Sequence, residues 1–166
     1  MPLNNFDYPV SWDNFVKMPA KPPGVTEDAE IVLQFPQSYG YSKAKNAVTI
    51  NDLSVDIGMS LPECWVLTSQ LNNTDLLQHE QGHYDITALG AREFYNGLTG
   101  MTATTEDKLQ KKIIALHDRI QEKINAANTR YDTITNHSLV TAEQKKWDEK
   151  IAAVKKNPKG TINDLP

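Results

Sequence analysis

Apolar residues recur along this chain with two different periods, and the switch between them divides it in two. Before about residue 70 the pattern is that of strands. Ile31 to Phe35 and Ala47 to Ile50 are short apolar runs, and Leu53, Val55, Ile57 and Met59 alternate with their neighbours so as to line one face of a pleat. Cys64 to Ser69 reads as a last strand, and an extended segment with Pro19, Pro22 and Pro23 precedes the others. After residue 70 the period lengthens to that of a helix, predicting three helices over about 74–98, 105–131 and 141–156. A small antiparallel or mixed sheet followed by three helices is an α+β order.

The helix ends carry their own signals. Asn73 and Thr74 can cap the first helix, Asp75 suits the positive end of its dipole, and Leu76, Leu77, Ile86, Leu89 and Phe94 supply apolar contacts. The second helix has a stripe of Leu109, Ile113, Leu116, Ile120 and Ile124, and the third opens with Thr141-x-x-Gln144, a capping-box signal. Gly82 and Gly90 each weaken the first helix by roughly 1 kcal/mol against alanine, which predicts a strand or helix packed closely against them. From Asn157 the chain is polar, with Pro158 and Gly160. That predicts a single domain over residues 1–156 and a mobile tail over 157–166.

The first helix also carries the chemistry. In His79-Glu80-Gln81-Gly82-His83 the two histidines fall about 40° apart around the helix and about 6 Å apart along it, so both can reach one metal ion. Glu80 lies on the flank of that face, where a carboxylate can take a proton from activated water without being a ligand. This division of labour is that of the zincin metallopeptidases. Leu76, His79, His83, Ile86, Gly90 and Phe94 share one stripe, which turns the histidines inward. The plainer alternative is a pair of buried histidines hydrogen-bonded within a core.

Catalytic zinc normally has three protein ligands. Glu93 is excluded as the third because ten residues of helix carry it about 15 Å beyond His83. The longer metzincin pattern is absent, since Tyr-Asp-Ile-Thr-Ala-Leu-Gly follows His83. His117, on the apolar stripe of the second helix, and His137, after its polar end, remain, with Glu106, Glu122 and Glu143 as carboxylate candidates. Spacing does not choose among them.

The sequence HEQGHYDI from His79, the later YDTITNH ending at His137, and QKKW from Gln144 together resemble a bacterial zincin-like family. Its members are regarded as secreted zinc-dependent proteases of otherwise unknown function. The resemblance covers most of the chain, from Ser11-Trp12-Asp13-Asn14-Phe15 and through the aromatic strand Cys64-Trp65-Val66, although only the two histidine motifs are specific. The family's second motif reads Tyr-Asp-x-x-Thr-x-His-Gly, which implies His137 as the third zinc ligand and places Ser138 where the family has glycine. In the same segment Tyr131 is a candidate oxyanion donor, with a core aromatic as its alternative, and Asp132 or Asp85 is a candidate outer partner of a metal-bound histidine.

Composition narrows the remaining classes. The 166 residues are enough for one core, and the net charge of −4 comes without the basic stripe of a nucleic-acid binder. No apolar run is long enough for a membrane span. The single Cys64 excludes an internal disulfide and reads as a buried small residue. The first residues lack the basic and apolar regions of a signal peptide, whereas the family resemblance implies an extracytoplasmic protein whose leader is missing from this chain. The expectation is a zinc-dependent peptidase acting on a peptide or protein substrate, with Glu80 as general base. A noncatalytic zincin-fold binding module with a structural metal is the alternative, and the oligomeric state is not legible.

Overall fold

The structure, a computed structural model, describes residues 3–166. Its strands are β1 (Leu3–Asn4), β2 (Val16–Met18), β3 (Ala29–Glu30), β4 (Leu33–Gln34), β5 (Gln37–Ala44), β6 (Ala47–Asp56), β7 (Gly58–Met59), β8 (Trp65–Leu67) and β9 (Thr102–Ala103). Its helices are α1 (Thr74–Leu98), α2 (Glu106–Thr135) and α3 (Thr141–Lys156). The α+β order is as expected, with the β-rich half distributed over three small sheets. In the first, β6 pairs with antiparallel β5 along its length, and with parallel β1 and antiparallel β9 at its two ends. In the second, β8 lies between parallel β2 and antiparallel β3, leaving β3 as an edge. The third is the antiparallel pair β4–β7.

The strands differ from the sequence pattern: the run 31–35 forms only the two-residue β4, and 64–69 only β8 followed by a 3-10 turn. The runs 47–50 and 53–59 are largely one strand, β6, which ends at Asp56; Gly58 and Met59 then pair with β4 instead. Its partner β5 has no apolar signal because Gln-Ser-Tyr-Gly-Tyr-Ser-Lys-Ala is exposed or half-buried throughout.

Helix α1 is the centre of the core. Asn73 caps it, accepting from the Leu76 amide at 3.0 Å, and Ile86, Leu89, Phe94 and Leu98 are fully buried. Helix α2 buries Leu109, Ile113, Leu116, Ile120, Ile124, Ala127 and Tyr131 along one face. The two helices pack where the glycines allow it. A Cβ at Gly82 would strike the Tyr131 hydroxyl, and one at Gly90 would strike the Ile124 side chain. Helix α2 runs to Thr135, past the expected end near residue 131, and stops where Asn136 turns left-handed at φ 48°. Helix α3 begins after Val140 without a side-chain cap, so Gln144 is not part of a capping box. Its side chain is buried and used elsewhere.

The last ten residues depart from the tail expected of their polarity. Ile162 and Leu165 are buried in the common core, and a short 3-10 turn spans Ile162–Asp164. The Arg92 guanidinium holds this return in place by donating to the carbonyls of Val154 (3.0 Å), Lys155 (2.8 Å) and Gly160 (2.7 Å). Two apolar residues in ten were too few for a periodic signal, and their burial depends on contacts from α1 and α2. Ile162→Ala should therefore lower unfolding stability by about 2–5 kcal/mol, as other buried Ile-to-Ala changes do. Urea denaturation measures this, and an unchanged midpoint would restore the tail reading.

Candidate metal site

Helix α1 points His79 and His83 at the C-terminal end of α2, where Asp132 lies one residue after Tyr131, and turns Glu80 toward the Ile31 backbone that follows β3. His79 and Glu80 are buried, at 2% and 3% exposure. The His79 Nε2 is 3.2 Å from His83 Nε2, and the Asp132 Oδ1 is 3.1 Å from the first and 2.9 Å from the second. His137 stands at the margin, with its Nδ1 3.6 Å from the same oxygen. His79, Asp132 and His137 each offer a ligand atom within 4.8 Å of the others and could hold a metal.

The far side of each imidazole is also engaged. His79 Nδ1 is 3.1 Å from Gln144 Oε1, and His83 Nδ1 is 2.9 Å from Asn128 Oδ1. Because an amide oxygen only accepts, each Nδ1 carries a proton, and in the neutral ring Nε2 then keeps its lone pair. The Gln144 amide is itself oriented, since its nitrogen donates to Tyr131 Oη and, at 2.7 Å, to Asp148 Oδ1. Neither Gln144 nor Asn128 was identified from sequence. Gln144 resembled a cap, and Asn128 had only its helical register with Asp132 to mark it.

Tyr131 does not have the position expected of an oxyanion donor. Its ring is fully buried and stacked on His79, with centroids 4.6 Å apart and planes 14° apart. Its hydroxyl donates to the His79 carbonyl at 3.3 Å and accepts from Gln144, so it supports the histidine from behind. Asp85 is likewise committed elsewhere, to Lys155 at 2.8 Å and Gln81 at 3.1 Å. His117 packs beside Phe35 and Phe94, far along α2 from Asp132. Glu106 and Glu143 make surface ion pairs with Lys43 and Lys146.

Electrostatics follow from this geometry. Burial lowers the pKa of His79. Burial also opposes charging of His83, but hydrogen bonding to Asp132 and the nearby Glu80 charge outweigh it and leave the pKa raised. Burial would raise Asp132, yet hydrogen bonds from both histidines hold its carboxyl far below the ordinary range. Glu80 is pushed up to about 7, chiefly by burial. When neither Nε2 is protonated, two ring lone pairs and a carboxylate oxygen converge on one point, which suits a cation; zinc accepts this imidazole and carboxylate donor set. Zinc binding would be held by these side chains and oriented by Gln144 and Asn128.

His137 sits on a turn in which Asn136, His137 and Ser138 are all left-handed, at φ 48°, 51° and 75°. Position 138 is where the resembled family carries glycine, the residue for which this conformation is least strained. Ser138→Gly should raise stability by about 1 kcal/mol in urea denaturation; a decrease would show that the turn is not held in this form. Gln144→Leu and Asn128→Leu should each weaken zinc binding about 10–100-fold, read by competition with a chromogenic chelator, because each releases one ring from its orientation. Unchanged affinity in both would dismiss the orienting role.

No helix among the described residues is long and apolar enough to cross a membrane. No curated protein and no solved structure gives a significant match to the chain. A family model does match, over residues 17–138, a span that contains the paired histidines, Asp132 and His137 and stops short of α3. The chain belongs to this family, described as bacterial protein of unknown function (DUF922).

Proposed function

We propose that the protein is a zinc-dependent peptidase in which Glu80 is the general base. The observation that carries this reading is the Glu80 carboxyl itself. It is almost completely buried beside two inward-facing histidines, and among the described residues it forms no ion pair with a lysine or arginine; the Ile31 amide and the nearby His83 only partly offset its burial. A buried acid kept for structure is normally paired with a cation, and an unpaired one with a raised pKa is characteristic of sites that move protons. When bound, zinc supplies a Lewis acid that lowers the pKa of coordinated water toward neutrality. Glu80 is placed to accept a proton there and return it to a leaving amine.

The surroundings fit a polypeptide substrate. His79, Glu80 and His83 lie in a cleft of ≈ 1030 Å³, with Glu30 and Ile31 on one wall and Asn125 and Asn128 on the other. The first wall continues from β3, the edge of its sheet, where an extended peptide can add as a further strand. Such backbone pairing recognises a peptide with little demand on its sequence.

One observation favours the noncatalytic module. Asp132 and His137 both stand near the paired histidines, and four protein ligands would close the site. Hydrolysis of a quenched fluorescent peptide library by the zinc-loaded protein and its Glu80→Gln variant separates the readings. The peptidase reading expects cleavage by the unaltered chain, a loss of at least about 100-fold in the variant, and unchanged zinc content. Full zinc occupancy with no cleavage by either protein would support the module.

A further inference from the structure

The geometry points to Asp132, rather than His137, as the third protein ligand of the metal. This assignment rests on the metal-site reading above and specifies its ligand set. His79 Nε2, His83 Nε2 and Asp132 Oδ1 form a triangle with sides of 3.2, 3.1 and 2.9 Å. Ligands about 2.0–2.1 Å from a tetrahedral zinc lie about 3.3 Å from one another, so the three atoms already have nearly the spacing of one face of the coordination polyhedron. His137 stands beside that triangle: its Nδ1 is 3.6 Å from Asp132 Oδ1, its ring centroid is 6.1 Å from that of His79 against 4.7 Å for His83, and its side chain is 46% exposed.

The alternative role for Asp132 is that of an outer carboxylate steadying a metal-bound histidine. Such a carboxylate accepts the N–H of the ring nitrogen that does not bind metal. Here those nitrogens are the Nδ1 atoms, and Gln144 and Asn128 occupy them. Asp132 instead meets both rings at Nε2, where the lone pairs are directed. With no cation between them, three acceptors at these distances can be reconciled only by extra protons; a divalent ion reconciles them directly. The stack of Tyr131 on His79 and the placement of Asp132 one residue later on α2 set the carboxylate at this point. His137 is then left to face the cleft from its left-handed turn.

Zinc affinities of the full chain, Asp132→Ala and His137→Ala, measured by chelator competition, give the first arm of the test. The assignment expects a loss exceeding about 100-fold for Asp132→Ala, above the range for an outer partner, and less than about tenfold for His137→Ala. The second arm uses Asp132→Cys and His137→Cys loaded with cobalt(II). A thiolate bound directly to cobalt gives a charge-transfer absorption that an outer position does not, and the band is expected only at position 132. Circular dichroism of each metal-free variant confirms that the fold is retained. The reverse pattern, with zinc lost and the band present at position 137, overturns the ligand assignment alone. Absence of zinc binding by the unaltered chain overturns it together with the peptidase reading.

Discussion

The close approach of α1 and α2 is the constraint on which the site depends. Gly82 leaves room for the Tyr131 ring, and Gly90 leaves room for Ile124 about two turns further along the same interface. Side chains at those positions would push the helices apart, and the consequences would reach the histidines. Tyr131 stacks on the His79 ring, and Asp132, the next residue, reaches both Nε2 atoms. The glycines therefore weaken a helix locally so that two helices can bring acceptors to one point with a precision that neither achieves alone.

Those acceptors form an arrangement that is unfavourable without a positive charge. Two lone pairs and a carboxylate oxygen lie within 3.2 Å of one another, and the buried Glu80 adds a second acid beside them. Polar groups at such density are usually balanced inside a protein, and unbalanced ones concentrate at functional sites. The Gln144 and Asn128 amides do not relieve the imbalance. They fix it, by keeping the ring protons on the outer nitrogens. A cation that binds only the folded chain would couple its affinity to stability.

Much of this was legible in the sequence because it is local. The 3.6-residue period located all three helices, Asn73 marked the start of α1, and Gly82 and Gly90 announced a close neighbour before that neighbour was known. What escaped depends on tertiary contacts. Strand β5 is polar because neither face is deeply buried, and Ile162 has no periodic companions to mark it. Gln144 has the spacing of a cap but turns into the core to meet His79. Tyr131 and Asp132 sit side by side in the segment that suggested His137, yet which of them faces a metal is decided by how α2 rotates against α1. Spacing along one helix carries no information about that rotation.

Taken together, the folded chain presents a cleft bounded by the edge of a sheet, a buried carboxyl in its floor, and two histidines locked in one tautomer by distant helices. Each part is one that the proposed hydrolysis of a polypeptide at a metal centre would use. The most direct test of this account is anomalous diffraction at the zinc edge from crystals of the zinc-loaded protein. A single strong peak within about 2.0–2.2 Å of His79 Nε2, His83 Nε2 and an Asp132 oxygen is the predicted result. No peak between α1 and the end of α2, or one bound through His137 with Asp132 turned away, would contradict it.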